Sequence, residues 1–125
     1  MADSVSQAMP VRVVVPNSNG IGFSDGVASG SSYQLAGTVG GTGDTLAGNT
    51  GSNPVSNVVG GSYVFDVQLT GTSVRLEALA SDGITWRTIY TATTSGSTGV
   101  VLGQNATVRV YNPNGTSDTV WASLS

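Results

Sequence analysis

Ser62-Tyr63-Val64-Phe65-Asp66-Val67-Gln68-Leu69 reads as a strand with one buried face. Tyr63, Phe65, Val67 and Leu69 take every second position, and Val64, Asp66 and Gln68 lie between them. Alternation at period two puts the odd set on one side of a pleated ribbon, where a core can form. Further along, residues 73–80, 85–91, 99–102, 106–111 and 118–124 carry the same signature. They are rich in Val, Thr, Tyr, Trp and Ile and are separated by turn residues. No helical period lasts more than two turns. The expectation is an all-β chain: an antiparallel β-sandwich or jelly-roll-like domain with an extended N-terminal arm.

Two hairpins can be given a register. A three-residue loop, Ser81-Asp82-Gly83, pairs Ala80 with Ile84, then Ala78 with Trp86, Leu76 with Thr88 and Val74 with Tyr90. This register gathers the apolar residues on one face, makes Trp86 and Tyr90 core residues and sets Glu77 opposite Arg87. The turn Pro113-Asn114-Gly115 similarly pairs Asn112 with Thr116, Val110 with Asp118, Val108 with Val120 and Ala106 with Ala122. Trp121 then falls on the outer face beside Thr107.

Three zones follow. Residues 1–20 hold Val11, Arg12, Val13, Val14 and Val15 between Pro10 and Pro16. Proline cannot donate to a ladder, so the pair punctuates a short extended arm. Residues 21–61 are rich in Gly, Ser and Thr and dominated by loops, with short strands at 32–35 and 55–59. Residues 62–125 form the sandwich core.

Composition narrows the chemistry. Gly, Ser, Thr and Asn fill 58 of 125 positions, and charged residues are only 9%. There is no Cys, His or Lys, so thiol nucleophiles, imidazole bases, Schiff-base amines, disulfides and His/Cys metal sites are all excluded. A net charge of −3 with only four basic residues argues against a nucleic-acid partner. The start Met1-Ala2-Asp3-Ser4 has neither a basic nor an apolar region of a secretory leader, and Val13-Val14-Val15 is far too short for a membrane span.

The seven carboxylates are Asp3, Asp25, Asp44, Asp66, Glu77, Asp82 and Asp118. Asp25 and Asp82 precede Gly in turns, Asp44 lies in a glycine loop, and no Asp-x-Asp-x-Asp run offers a calcium loop. Glycosidase chemistry would need two of them converging in a cleft, and nothing in the sequence favours that. The expectation is a protein that is not an enzyme, with no cofactor, metal or small-molecule substrate. Trp121, Tyr111 and Arg109 are the candidates for a subunit interface, because aromatic and Arg residues concentrate there. Val11, Arg12, Val13, Val14 and Val15 are the candidates for an arm that adds a strand to a partner's sheet edge.

The order of these segments resembles a known group. Gly60-Gly61-Ser62-Tyr63-Val64-Phe65-Asp66-Val67 leads to Ser73-Val74-Arg75-Leu76-Glu77-Ala78-Leu79. Then come Asp82-Gly83-Ile84-Thr85-Trp86, Val108-Arg109-Val110 and Trp121-Ala122-Ser123-Leu124. This series is similar to small β-sandwich head decoration (capsid cement) proteins of tailed bacteriophages, over roughly residues 60–125. The start Pro10-Val11-Arg12-Val13-Val14 also resembles the beginning of small phage virion proteins. The resemblance implies a non-enzymatic protein, made in the host cytoplasm and bound to the outer capsid surface. It also implies a homotrimer that bridges major capsid protein subunits and stabilises the shell. A receptor- or glycan-binding module of a phage tail or fibre is the alternative, with Trp121 and Tyr111 as its stacking residues.

Overall fold

The computed structural model describes residues 30–125, so Val11, Arg12, Val13, Val14 and Val15 lie outside the described residues. Among the described residues the chain forms ten strands and no helix. They are β1 (Tyr33–Ala36), β2 (Asp44–Leu46), β3 (Thr50–Gly51), β4 (Val55–Val58), β5 (Gly61–Leu69), β6 (Val74–Leu79), β7 (Trp86–Ala92), β8 (Gly96–Leu102), β9 (Ala106–Asn112) and β10 (Asp118–Leu124). One sheet runs β1-β10-β5-β8, with β2 also on β10. The other runs β3-β9-β6-β7, with β4 also on β9.

β1 and β2 pair with successive parts of β10, and β3 and β4 with successive parts of β9. Each pair therefore acts as one interrupted strand. The chain is then one long antiparallel hairpin with its tip between β6 and β7. Its arms pair β6 with β7, β5 with β8, β3/β4 with β9 and β1/β2 with β10. Successive pairs alternate between the two sheets, which is the rolled-up order of a jelly roll. The glycine-rich middle, residues 33–58, supplies an edge of each sheet and adds Leu35, Ala36, Leu46 and Val58 to the core.

β5 takes the expected faces. Tyr63, Phe65 and Val67 are buried and Leu69 packs at the margin, while Val64 and Gln68 are exposed. Phe65 shares one core cluster with Leu76, Val108 and Val110 of the other sheet, all fully buried. Tyr63 donates its hydroxyl proton to the Val59 carbonyl, and the Val59 amide donates to the Tyr33 hydroxyl at 3.0 Å. These bonds close the β4–β5 corner.

The β6–β7 register differs from the sequence reading. Leu79 pairs with Trp86, Ala78 with Arg87 and Glu77 with Thr88. Beyond a bulge, Leu76 pairs with Tyr90, Arg75 with Thr91 and Val74 with Ala92. Two local causes shift it. The turn has four residues, because the Asp82 carboxylate accepts from the amides of Ile84 and Thr85 (2.9 Å each) and from the Thr85 hydroxyl (2.6 Å). Gly83 takes a φ of +73° and its amide donates to the Ala80 carbonyl. The bulge at Ile89 then reverses the facing of the strand. Trp86 and Thr88 therefore lie outside, and Tyr90 and Ala92 turn inward. Trp86 is not a core residue, and Tyr90 is only an edge-on neighbour of Phe65, with ring centroids 6.2 Å apart.

The Asp82 bonds also predict a pH response. Hydrogen bonds from the Thr85 hydroxyl, the Thr85 amide and the Ile84 amide, in that order, hold this carboxyl at about 2, below its ordinary 3.8. A carboxyl lowered by folding contributes stability that is full above the unfolded value and disappears as pH falls through the folded value. The backbone amide resonances of Ile84 and Thr85 should stay constant down to about pH 4 and titrate with a midpoint near 2. A midpoint near 4 would mean the turn bonds do not persist in solution.

The proposed β9–β10 hairpin does not form. β9 lies in one sheet and β10 in the other, joined by a crossing loop. The buried Asn112 anchors that loop. Its side-chain nitrogen donates to the carbonyls of Leu46 (3.0 Å), Ala47 (3.3 Å) and Thr116 (2.9 Å), and its side-chain oxygen accepts from the Asn114 amide (2.9 Å). Trp121 does face outward, but its neighbours are Gln68 and Thr38 rather than Thr107.

Candidate functional site

The two outer faces of the sandwich carry different chemistry. On the β3-β9-β6-β7 sheet, Glu77 and Arg109 are direct cross-strand partners. The Arg109 Nε donates to Glu77 Oε1 at 2.9 Å, and its NH2 group lies 2.9 Å from the same oxygen. The guanidinium is 4.0 Å from the centre of the Trp86 ring and 5.1 Å from that of Tyr111. Arg75 adds a longer contact of 3.9 Å to Glu77. Glu77 is thus 4% exposed on the outside of its own sheet, bonded to an Arg109 guanidinium that itself lies against the two rings. The Glu77–Arg87 pair expected from the hairpin is replaced by this one. Arg87 sits one position along, opposite Ala78.

On the β1-β10-β5-β8 sheet the outward row is almost free of charge. Cross-strand registers place Thr119, Trp121 and Ser123 of β10 beside Ser62, Val64, Asp66 and Gln68 of β5, and those beside Ser97, Gly99 and Val101 of β8. Asp66 is the only ionisable residue among them. The loop between β1 and β2 folds over the Trp121 ring. Trp121 Nε1 donates to the Thr38 carbonyl at 2.9 Å, and the Gly37 amide donates to Asp44 Oδ2 at 2.9 Å. A side chain at Gly37 would meet Trp121 Cδ1 at 2.6 Å, and its φ of +77° suits glycine alone. Two hollows flank the ring. One, of about 440 Å³, is lined by Gly40, Gly41, Thr42, Gly43, Gln68 and Thr119. The other, of about 290 Å³, lies towards Tyr33, Val39 and Leu124.

The three interface candidates are thus divided. Arg109 and Tyr111 share one outer face, and Trp121 lies on the opposite one. Among the described residues each carboxylate other than Asp66 has a local role. Asp44 holds the Gly37 amide, Asp82 the turn, Glu77 Arg109, and Asp118 accepts from the amide and hydroxyl of Thr70. No group of three or more His, Cys, Asp or Glu among the described residues could hold a metal ion. The sequence reading missed the outward Trp86, the buried Glu77 and the exposed Val101. Glu77–Arg109 had no local signal, because β6 and β9 are far apart in the chain. Val100-Val101-Leu102 contains no polar residue to mark its face.

The fold and faces together define a jelly-roll β-sandwich with one charged and aromatic face and one nearly uncharged face. Comparison of the chain with known protein families, with curated proteins and with solved structures finds no match.

Proposed function

We propose that this chain is a structural virion protein: a decoration, or cement, protein on the outside of a tailed-phage head that bridges major capsid subunits. The observation that supports it best is the nearly uncharged outer row of the β1-β10-β5-β8 sheet, with Asp66 its single ionisable residue. Burying charge against a partner is costly unless each charge finds a counterpart. A face of Ser, Thr, Gln and Val can be covered by a shell with little such cost, and interface centres are depleted of charge for this reason. Each bound copy then adds contacts across a capsomer seam, so separating capsid subunits also requires breaking those contacts. The arm at Val11, Arg12, Val13, Val14 and Val15 would add a strand to the shell.

Copy number tests this reading. Mass spectrometry of purified virions, scaled to the major capsid protein, should find the chain at hundreds of copies per particle. A handful of copies would place it in the tail, and none would overturn the virion assignment. A variant without residues 1–16 should lose capsid binding while its C-terminal domain stays folded, as cooperative thermal unfolding would show.

The hollows beside Trp121 favour a second reading, recognition of a glycan receptor. An aromatic ring flanked by the amide of Gln68 and the hydroxyl of Thr119 suits a sugar ring. In that case Trp121→Ala abolishes binding on a glycan array and Tyr111→Ala leaves it unchanged, since Tyr111 lies on the other sheet. Equal loss in both variants would reject Trp121 as the site.

A further inference from the structure

Strands at a sheet's edge present unpaired N–H and C=O groups, and proteins guard them with short or broken strands, proline, charge or bulges. Among the described residues the two sheets have four edges, and three of them are guarded. β1/β2 is interrupted by the loop over Trp121 and shifts register between Gln34 and Ala36. β3/β4 is interrupted, contains Pro54 and shifts register between Val55 and Val58. β7 carries Arg87 and the bulge at Ile89. β8 has none of these. It is seven residues long, free of charge and proline, and pairs with β5 without a shift from Gly61–Leu102 to Val67–Gly96.

The outward groups of β8 can be named. Val64 and Ser125 exchange both backbone hydrogen bonds, at 2.7 and 3.0 Å. In an antiparallel ladder this directs the even-numbered residues of β5 to β10 and the odd-numbered ones to β8. Gly96, Thr98, Val100 and Leu102 therefore bond to β5, and Ser97, Gly99 and Val101 direct their N–H and C=O groups away from the sheet. All three are exposed, Val101 by 73%. The space beside Gly99 is open on the outer face. Val64, which lies opposite Gly99 across the β5–β8 ladder, is exposed on the same outer face.

We infer that β8 is a self-pairing edge that joins two copies of this chain. The two β8 strands run antiparallel about a two-fold axis at Gly99. Ser97, Gly99 and Val101 then bond to Val101, Gly99 and Ser97 of the second copy, and the two sheets become one. The strand is complementary to itself in this register. No charge faces a like charge, Val101 faces Ser97, and Thr98 faces Val100 on the inner side. A closed two-fold contact uses the same patch on both copies and leaves neither β8 edge open. The inference stands independently of the capsid reading, and it differs from the three-fold clustering that the resemblance implies.

Sedimentation equilibrium of the full chain over a hundred-fold concentration range tests it. The wild type should fit a reversible monomer–dimer equilibrium. Val101→Lys places a charge on the edge, and Gly99→Pro removes an outward donor without breaking a bond to β5. Each should weaken the dimer by about thirty-fold or more. Ile84→Lys, at the exposed turn, should leave it unchanged. Should Gly99→Pro fail to fold, Val101→Lys carries the test alone, and its thermal midpoint shows that it is folded. A monomer at every concentration, a trimer, or a dimer indifferent to Val101→Lys would overturn the proposal. So would a dimer lost on deleting residues 1–16, which would make the arm the occupant of an edge.

Discussion

Asn112→Ala should destabilise the protein by about 3 kcal/mol or more, because the cost of a buried polar group left without its partner is roughly 1–3 kcal/mol for each group. Asn112 is fully buried, and its amide nitrogen serves the carbonyls of Leu46, Ala47 and Thr116. Those carbonyls belong to two regions that are distant in sequence: the end of β2 with its link to β3, and the crossing from β9 to β10. Removal of the amide strands the acceptors and unties both loops together. Urea denaturation should show the midpoint falling by more than about 1 M with little change in slope. Asn112→Asp should be no better, since a carboxylate only accepts and has no N–H to offer these carbonyls. A loss below about 1 kcal/mol in Asn112→Ala would mean that water replaces the amide and that it does not tie the loops.

Arg109→Ala should cost about 3–5 kcal/mol, the range expected when one member of a buried ion pair is removed. Glu77 is 4% exposed and would keep only the longer contact to Arg75. Glu77→Ala should cost less, because the Arg109 side chain is 20% exposed and regains some water. Arg109→Lys should recover only part of the loss, since an ammonium neither forks onto a carboxylate nor lies flat on the Trp86 ring. Thermal denaturation should show the midpoint of Arg109→Ala lowered by more than about 10 °C. Equal effects in Arg109→Ala and Glu77→Ala would mean that the asymmetry of burial does not govern the pair. The position of this pair also bears on function. It pairs the positive charge of Arg109 within one face, and the opposite face keeps Asp66 as the single ionisable residue of its outward row.

Parts of this architecture were legible in the residues. The period-two pattern of Tyr63, Phe65 and Val67 places β5 correctly, and alternation also turns Trp121 outward. Both follow from a local rule, since neighbouring side chains on a strand point to opposite faces whatever the strand pairs with. The register around Asp82 was not legible. Pattern favoured three loop residues, but the bonds to Ile84 and Thr85 demand four, and the bulge at Ile89 displaces the rest. The candidate site was split for a similar reason. Arg109 and Tyr111 share a face by alternation within one strand, whereas the sheet that receives Trp121 depends on where the chain crosses.

The sequence by itself determined the all-β class, the inward set of β5 and the absence of thiol, imidazole and lysine chemistry. These depend on residue identity and on a periodicity read within a few neighbours. Only the tertiary structure decided that β9 and β10 lie in different sheets, that Glu77 finds Arg109, and that β8 pairs with β5 alone among the described residues. The reason is physical. Val108, Val110, Val120 and Ala122 face the core whether β9 and β10 pair as a hairpin or oppose each other across the sandwich. Alternation thus specifies a face and not a partner. The partner is set by bonds between distant segments, such as those of Asn112, which no local pattern records.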